Sequence, residues 1–122
     1  MFKHFHNLTP DDINVEFQTH TNQTDGHNSI REVLQRAHER GLRAIAFTEH
    51  VRRSTDWFTG FAQAVRAEAA DFPDLTVYVG CEAKALNVQG GLDVSDEVRA
   101  QCEIVLGSVH TFPKKFGKFD DY

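Results

Sequence analysis

A chain of 122 residues has room for one ordinary domain and not for two. Hydrophobic residues make up 40% and charged residues 25%, a soluble globular composition, and no apolar run approaches the ~18 residues that cross a bilayer. The net charge of −5 gives no global attraction for nucleic acid, and the start, Met1 to Thr9, lacks the apolar core of a signal peptide, so a cytoplasmic protein is expected.

Residues 15–19 are β-branched and aromatic enough for a short strand that ends at His20. A polar loop follows over 21–28, with Asp25-Gly26 as its turn signal. Ser29-Ile30-Arg31-Glu32 then reads as a capping box, with Glu32 reaching back to Ser29. Ile30, Val33, Leu34 and Ala37 keep helical spacing, and Gly41 is placed to end that helix in a left-handed conformation. Residues 42–48 are nearly all apolar, the pattern of a parallel strand covered on both faces, and they end at Glu49-His50. A second helix is predicted over 56–70, burying Trp57, Phe61, Ala64 and Val65 and closed by Pro73. The third strand, 75–81, ends at Glu82. Gly90-Gly91 suggests a tight turn in a small hairpin, and Ser95 caps a short helix to Gln101. The fourth strand, 103–109, ends at His110, and 111–122 show no clear period.

Strand followed by helix, repeated, means parallel strands joined by right-handed crossovers. His20, His50, Glu82 and His110 each stand at the carboxyl end of a predicted strand, with spacings of 30, 32 and 28 residues. In a β/α barrel those ends open on one face, where such residues converge. Imidazole and carboxylate are ligands expected for zinc, manganese or iron. His4, His6 and His38 have no such placement and read as surface; His27 lies in the first loop, near the presumed mouth. Cys81 and Cys102 make no disulfide framework and lack the C-x-x-C spacing of a structural zinc site. Arg52-Arg53 and Lys114-Lys115 with Lys118 read as solvated surface, so a bound cation would supply most of the positive field for a phosphate ester.

These residues also carry a family resemblance. Gln18-Thr19-His20-Thr21 followed by Thr24-Asp25-Gly26 resembles the first motif of the polymerase and histidinol phosphatase (PHP) family, H-x-H-T-x-x-S-D-G. Gly41 to His50, reading GLRAIAFTEH, resembles its second, G-L-x-x-x-A-x-T-D-H. Gly80-Cys81-Glu82 and Gly107-Ser108-Val109-His110 are similar to the following G-x-E and G-S-x-H. The resemblance runs from about Val15 to Phe112 and implies the N-terminal portion of a distorted seven-stranded TIM-like β/α barrel, four βα units of it being present. On that reading residues 1–122 are a partial PHP domain whose C-terminal strands come from a longer chain or an oligomer.

The resemblance further implies two or three divalent ions (Zn, Mn or Fe), with His20, Asp25, His50, Glu82 and His110 as ligands. Glu82 would bridge two ions, and Glu49 would orient a ligand or a water. Three departures from the family pattern stand out: Gln18 where the first histidine is usual, Glu49 in place of aspartate, and no counterpart in these residues for the family's later histidine and D-x-H. The expected activity is metal-dependent hydrolysis of a phosphate ester, foremost a phosphomonoesterase of the histidinol-phosphatase type acting on a small phosphorylated metabolite. Arg52, Arg53 or Lys84 could clamp the phosphate, although their first reading is exposed surface. The alternatives are a metal-dependent exonuclease, another metallohydrolase barrel, and a degenerate PHP module with a structural or interaction role. The first is disfavoured by the charge of −5 and the second by the motifs.

Overall fold

Four parallel strands, lying side by side in sequence order, frame the molecule: β1 (Val15–Thr19), β2 (Ala44–Val51), β3 (Thr76–Lys84) and β4 (Ile104–Ser108). The computed structural model describes residues 3–109, together with the backbone of 111–113 and 119–121. Helices α1 (Ile30–Glu39), α2 (Phe58–Ala69) and the short α3 (Asp96–Ala100) make the three crossovers, giving a curled half-barrel of α/β type. Two short 3-10 turns, Phe5–Asn7 and Pro10–Ile13, precede β1. Among the described residues no helix is long and apolar enough to cross a membrane.

The helices form where local chemistry dictates. Ser29 accepts a hydrogen bond from the Glu32 amide and Glu32 reaches back to the Ser29 amide, closing the expected capping box on α1. Gly41 ends α1 at φ 68, where a Cβ would be strained. Ser95 caps α3 by accepting from the Val98 amide. Helix α2 is shorter than its pattern suggests, starting at Phe58 with Trp57 as N-cap and no side-chain cap bond. Its buried residues are Phe58, Phe61, Ala62 and Val65, whereas Trp57 and Ala64, expected in the core, are only partly covered.

Alternation along the strands divides the sheet into two faces. Ile45, Phe47 and Val51 of β2 and Val79, Cys81 and Ala83 of β3 join Leu34, Phe58, Phe61 and Val65 in one core beneath the helices. Burying each of the larger of these side chains contributes roughly 1.5–3 kcal/mol. Cys81 and Cys102 are both free thiols, as expected. The opposite face carries His50, Glu82 and Lys84.

Two strands run further than their apolar runs suggest. β2 begins at Ala44 and continues through Glu49 and His50 to Val51, and β3 runs on through Glu82 to Lys84, with His50 in register with Glu82. The reason is that Glu49 and Glu82 are buried with partners, so the ladder continues where hydropathy alone would stop it. The 83–94 segment holds a hairpin-like turn as expected, with Ala85 bridging Leu92 and Gly90 at φ 84. Beyond β4, where no period was visible, β5 (Thr111–Pro113) and β6 (Phe119–Asp121) pair antiparallel.

Candidate metal centre

Three strand ends and one loop supply the site. His20 follows β1 directly, His50 and Glu82 sit near the ends of β2 and β3, and Asp25 comes from the β1–α1 loop. That loop folds back tightly: the Gly26 amide donates to the Thr21 carbonyl at 2.9 Å, and a Cβ on Gly26 would collide with the His20 carbonyl. Glycine at this position lets the loop return Asp25 over the two histidines.

The four side chains close a ring of approaches. His20 Nε2 lies 3.2 Å from Glu82 Oε2, and His20 Nδ1 lies 3.4 Å from Asp25 Oδ1. His50 Nε2 is 3.1 Å from Asp25 Oδ2, and its Nδ1 is 3.8 Å from Glu82 Oε1. The two imidazoles lie 4.3 Å apart, tilted by 36°. One ligand atom each from His20, His50 and Glu82 lies within 4.8 Å of the others, a spread that a single cation could bridge.

This donor set suits a divalent cation. A neutral imidazole has one N–H, so at each ring one nitrogen lone pair faces a carboxylate oxygen. A positive charge shared between them, as a proton or a metal ion, turns that repulsion into attraction. His20 Nδ1 in particular is buried without a hydrogen bond, although Asp25 is near. Burial works to raise the Glu82 carboxyl, but hydrogen bonds from Ser108 and Gln18 and the nearby His50 and His20 outweigh it and hold it below the usual carboxylate range. At Asp25 partial desolvation acts upward, and the charges of His50 and His20 with the His50 hydrogen bond bring the carboxyl down.

Gln18 joins the cluster: its Nε2 donates to Glu82 Oε2 at 3.0 Å. A register shift in β1 between Glu16 and Thr19 sets Phe17 and Gln18 against the single residue Ala46, a bulge of the kind that re-aims side chains. Glu49, by contrast, points to the other face. It is fully buried, accepts from the Thr21 amide at 2.6 Å and the Thr21 hydroxyl at 2.5 Å, and also accepts from the Thr24 hydroxyl. It therefore holds the loop that carries Asp25. His27 is exposed and outside the cluster, and His110 lies outside the described residues. The hydroxyls of Thr21, Thr24 and Ser108 were not singled out in the sequence, although all three lie inside the motif segments quoted above.

The profile of the PHP domain matches residues 16–122. The chain belongs to that family. This PHP domain is 26% identical over 113 residues to a probable phosphatase of Clostridium acetobutylicum, covering 88% of the chain and 45% of that protein. It is 24% identical over 116 residues to a probable phosphatase of Caldicellulosiruptor bescii, covering 88% and 47%. It is also 27% identical over 106 residues to the DNA polymerase/3'-5' exonuclease PolX of Bacillus subtilis, covering 81% of the chain and 18% of PolX. The chain thus spans about half the length of the two probable phosphatases.

Beside the cluster a cavity of about 650 Å³ opens between the ends of β2 and β3 and the start of α2. His50 and Glu82 line its floor, with Arg52, Trp57, Lys84 and Leu86 around them. A separate groove of about 510 Å³ lies between α1 and the β1 edge, lined in part by Val33, Ala37, Leu42 and Ile45, away from these groups.

Proposed function

We propose that this PHP domain is the metal-binding portion of a metal-dependent phosphoesterase, acting on a small phosphate monoester as a histidinol-phosphatase-type enzyme does. The observation that carries the reading is the ring of His20, Asp25, His50 and Glu82, in which imidazole lone pairs and carboxylates face one another at 3.1 to 3.8 Å. His20, Asp25, His50 and Glu82 would hold the ions, His110 would add a further ligand, and Glu82, with an oxygen towards each imidazole, would bridge. When bound, divalent ions supply a hydroxide near neutral pH and neutralise phosphoryl oxygens.

The chain's own residues supply position. Gln18 and Ser108 orient Glu82 by donating to it, and Glu49 fixes the loop that presents Asp25. The phosphatase names of two relatives favour a monoester, and the net charge of −5 weighs against the nucleic-acid substrate that the name of PolX suggests. The barrel reading also calls for further strands, to a total of seven, supplied by more chain or by another subunit. The apolar groove beside β1 and the outer edges of β1 and β4, which pair with no strand among the described residues, are where they would pack.

The test has two arms. Elemental analysis and Mn²⁺ titration of the 122-residue chain should find bound divalent metal. A chain that includes the remaining strands should cleave a generic phosphomonoester, and chelation should abolish the cleavage. Activity that survives chelation overturns the reading.

A further inference from the structure

The 650 Å³ cavity is larger than a phosphate group needs, and its lining includes two cations and an apolar stretch. Arg52 stands two residues after His50, and Lys84 two after Glu82. Alternation sends residues i and i+2 to the same side of a strand, so Lys84, the last residue of β3, shares the face of Glu82, while Arg52 stands in the turn just beyond β2. Both line the cavity that His50 and Glu82 floor. Among the described residues neither cationic head group has an ion-pair or hydrogen-bonding partner, although Arg31, Arg36 and Lys3 all do. Arg53, next to Arg52, does not line the cavity; its amide donates to Asp93 at 3.0 Å.

The rest of the lining sets Thr24, Thr55 and Asp93, whose carboxylate already accepts from the Arg53 amide, beside apolar side chains. Trp57 is partly exposed, and its ring is fixed from behind, edge-on to Phe61 at 5.8 Å and 87° and tilted on Phe58 at 6.1 Å. Leu86 stands 40% exposed in the same lining, so both side chains leave apolar surface for a ligand to cover. A rigid aromatic ring beside two unpaired cations suits a ligand with an anionic end and a flat, uncharged body.

We propose that this cavity is the substrate pocket, in which Arg52 and Lys84 take the phosphate oxygens of a monoester whose flat apolar alcohol part lies on Trp57 and Leu86. The proposal rests on the phosphoesterase reading of the adjoining cluster and names its substrate class. It makes Arg52 and Lys84 binding residues and Trp57 the residue that selects the leaving group.

Trp57 is the only tryptophan in the chain, so its fluorescence reports on the pocket directly. The ligands are phenylphosphonate, whose C–P bond resists hydrolysis, and methylphosphonate, which lacks the ring. Each is titrated with Mn²⁺ and again in chelator. Phenylphosphonate should change the Trp57 emission and bind about ten-fold tighter than methylphosphonate. Arg52→Gln and Lys84→Gln should each weaken phenylphosphonate binding about ten-fold while leaving Mn²⁺ affinity unchanged, and Arg53→Gln should change neither.

Binding that is indifferent to both Arg52→Gln and Lys84→Gln overturns the proposal, as does equal affinity for the two phosphonates or no binding in either condition. A chain that binds no Mn²⁺ removes the phosphoesterase reading instead. The dependence on Arg52 and Lys84 in chelator then still decides whether this is an anion pocket.

Discussion

Glu49 and Glu82 are acids on neighbouring parallel strands, buried to 0% and 6% exposure, and they show that burial alone does not tell a structural carboxylate from a ligand. The difference lies in the donors. Glu49 meets one backbone amide and two threonine hydroxyls, groups that keep their protons and leave nothing for a cation to do. Glu82 meets the Gln18 amide, Ser108 and two imidazole nitrogens, and an imidazole nitrogen can exchange its proton for a metal ion. One carboxylate fastens a loop, and the other is open to coordination.

The largest effect should come from Glu82→Gln. Changes one step removed from a metal cost ~10–100-fold in affinity, so losing the central carboxylate should weaken Mn²⁺ binding by about 100-fold or more. The urea midpoint of the metal-free chain should fall less than in Glu49→Gln, because the lost charge also faced two imidazole lone pairs. Calorimetric titration that finds wild-type affinity would end the distinction between the two acids.

Glu49→Gln should behave the other way round. Loss of charge from three hydrogen bonds in a buried setting should lower stability by about 2 kcal/mol, read from urea denaturation. Because the same loop carries Asp25, Mn²⁺ affinity should fall as well, by about 10-fold. A fall in affinity with unchanged stability would make Glu49 a ligand after all.

Gln18→His tests whether the cluster is short of one imidazole. The bulge aims position 18 at Glu82, so the variant should tighten the weakest Mn²⁺ site by up to about 10-fold or raise the stoichiometry. Identical titrations of the two proteins would mean that the position is already compensated.

Glu32 supplies an exposed reference for both buried acids. Its backbone and side-chain hydrogen bonds with Ser29 hold its carboxyl below the ordinary 4.5. A depressed carboxyl contributes stability that is complete above its unfolded value and is lost as pH falls through the lower folded value. Glu32→Gln should therefore remove a small slope in the urea midpoint just below pH 4.5 and leave metal binding alone. An unchanged slope would mean that the capping box contributes nothing through its charge.

The helix signals and the order of strands were legible in the sequence because they are local. The Ser29–Glu32 box, the Gly41 terminator and the Ser95 cap need only neighbouring residues. The convergence of His20, His50 and Glu82 was legible from their regular spacing. What the sequence concealed is non-local. The Thr21 and Thr24 hydroxyls belong to Glu49 only once the loop is closed, so the face to which Glu49 turns could be read but its partners could not. The strand ends were misjudged for the same reason: a paired buried carboxylate looks like a loop residue until its partner is known. Trp57 packs against the core as its spacing predicts and also keeps a side open to the cavity, because helical spacing cannot distinguish a packed face from a half-open one.

Glu49 and His50 are adjacent on one strand and serve opposite faces of it. One inserted residue within β2 upstream of them would turn each to the other face, sending the carboxylate towards Glu82 and the imidazole into the apolar place of Val51. Neither side could absorb that change, so β2 tolerates substitution far better than any change of length. The 86–92 turn, whose mid-section is exposed and closed by Asn87 hydrogen bonds, has no such double duty. Insertions and deletions in related chains should gather in that turn and spare the strand.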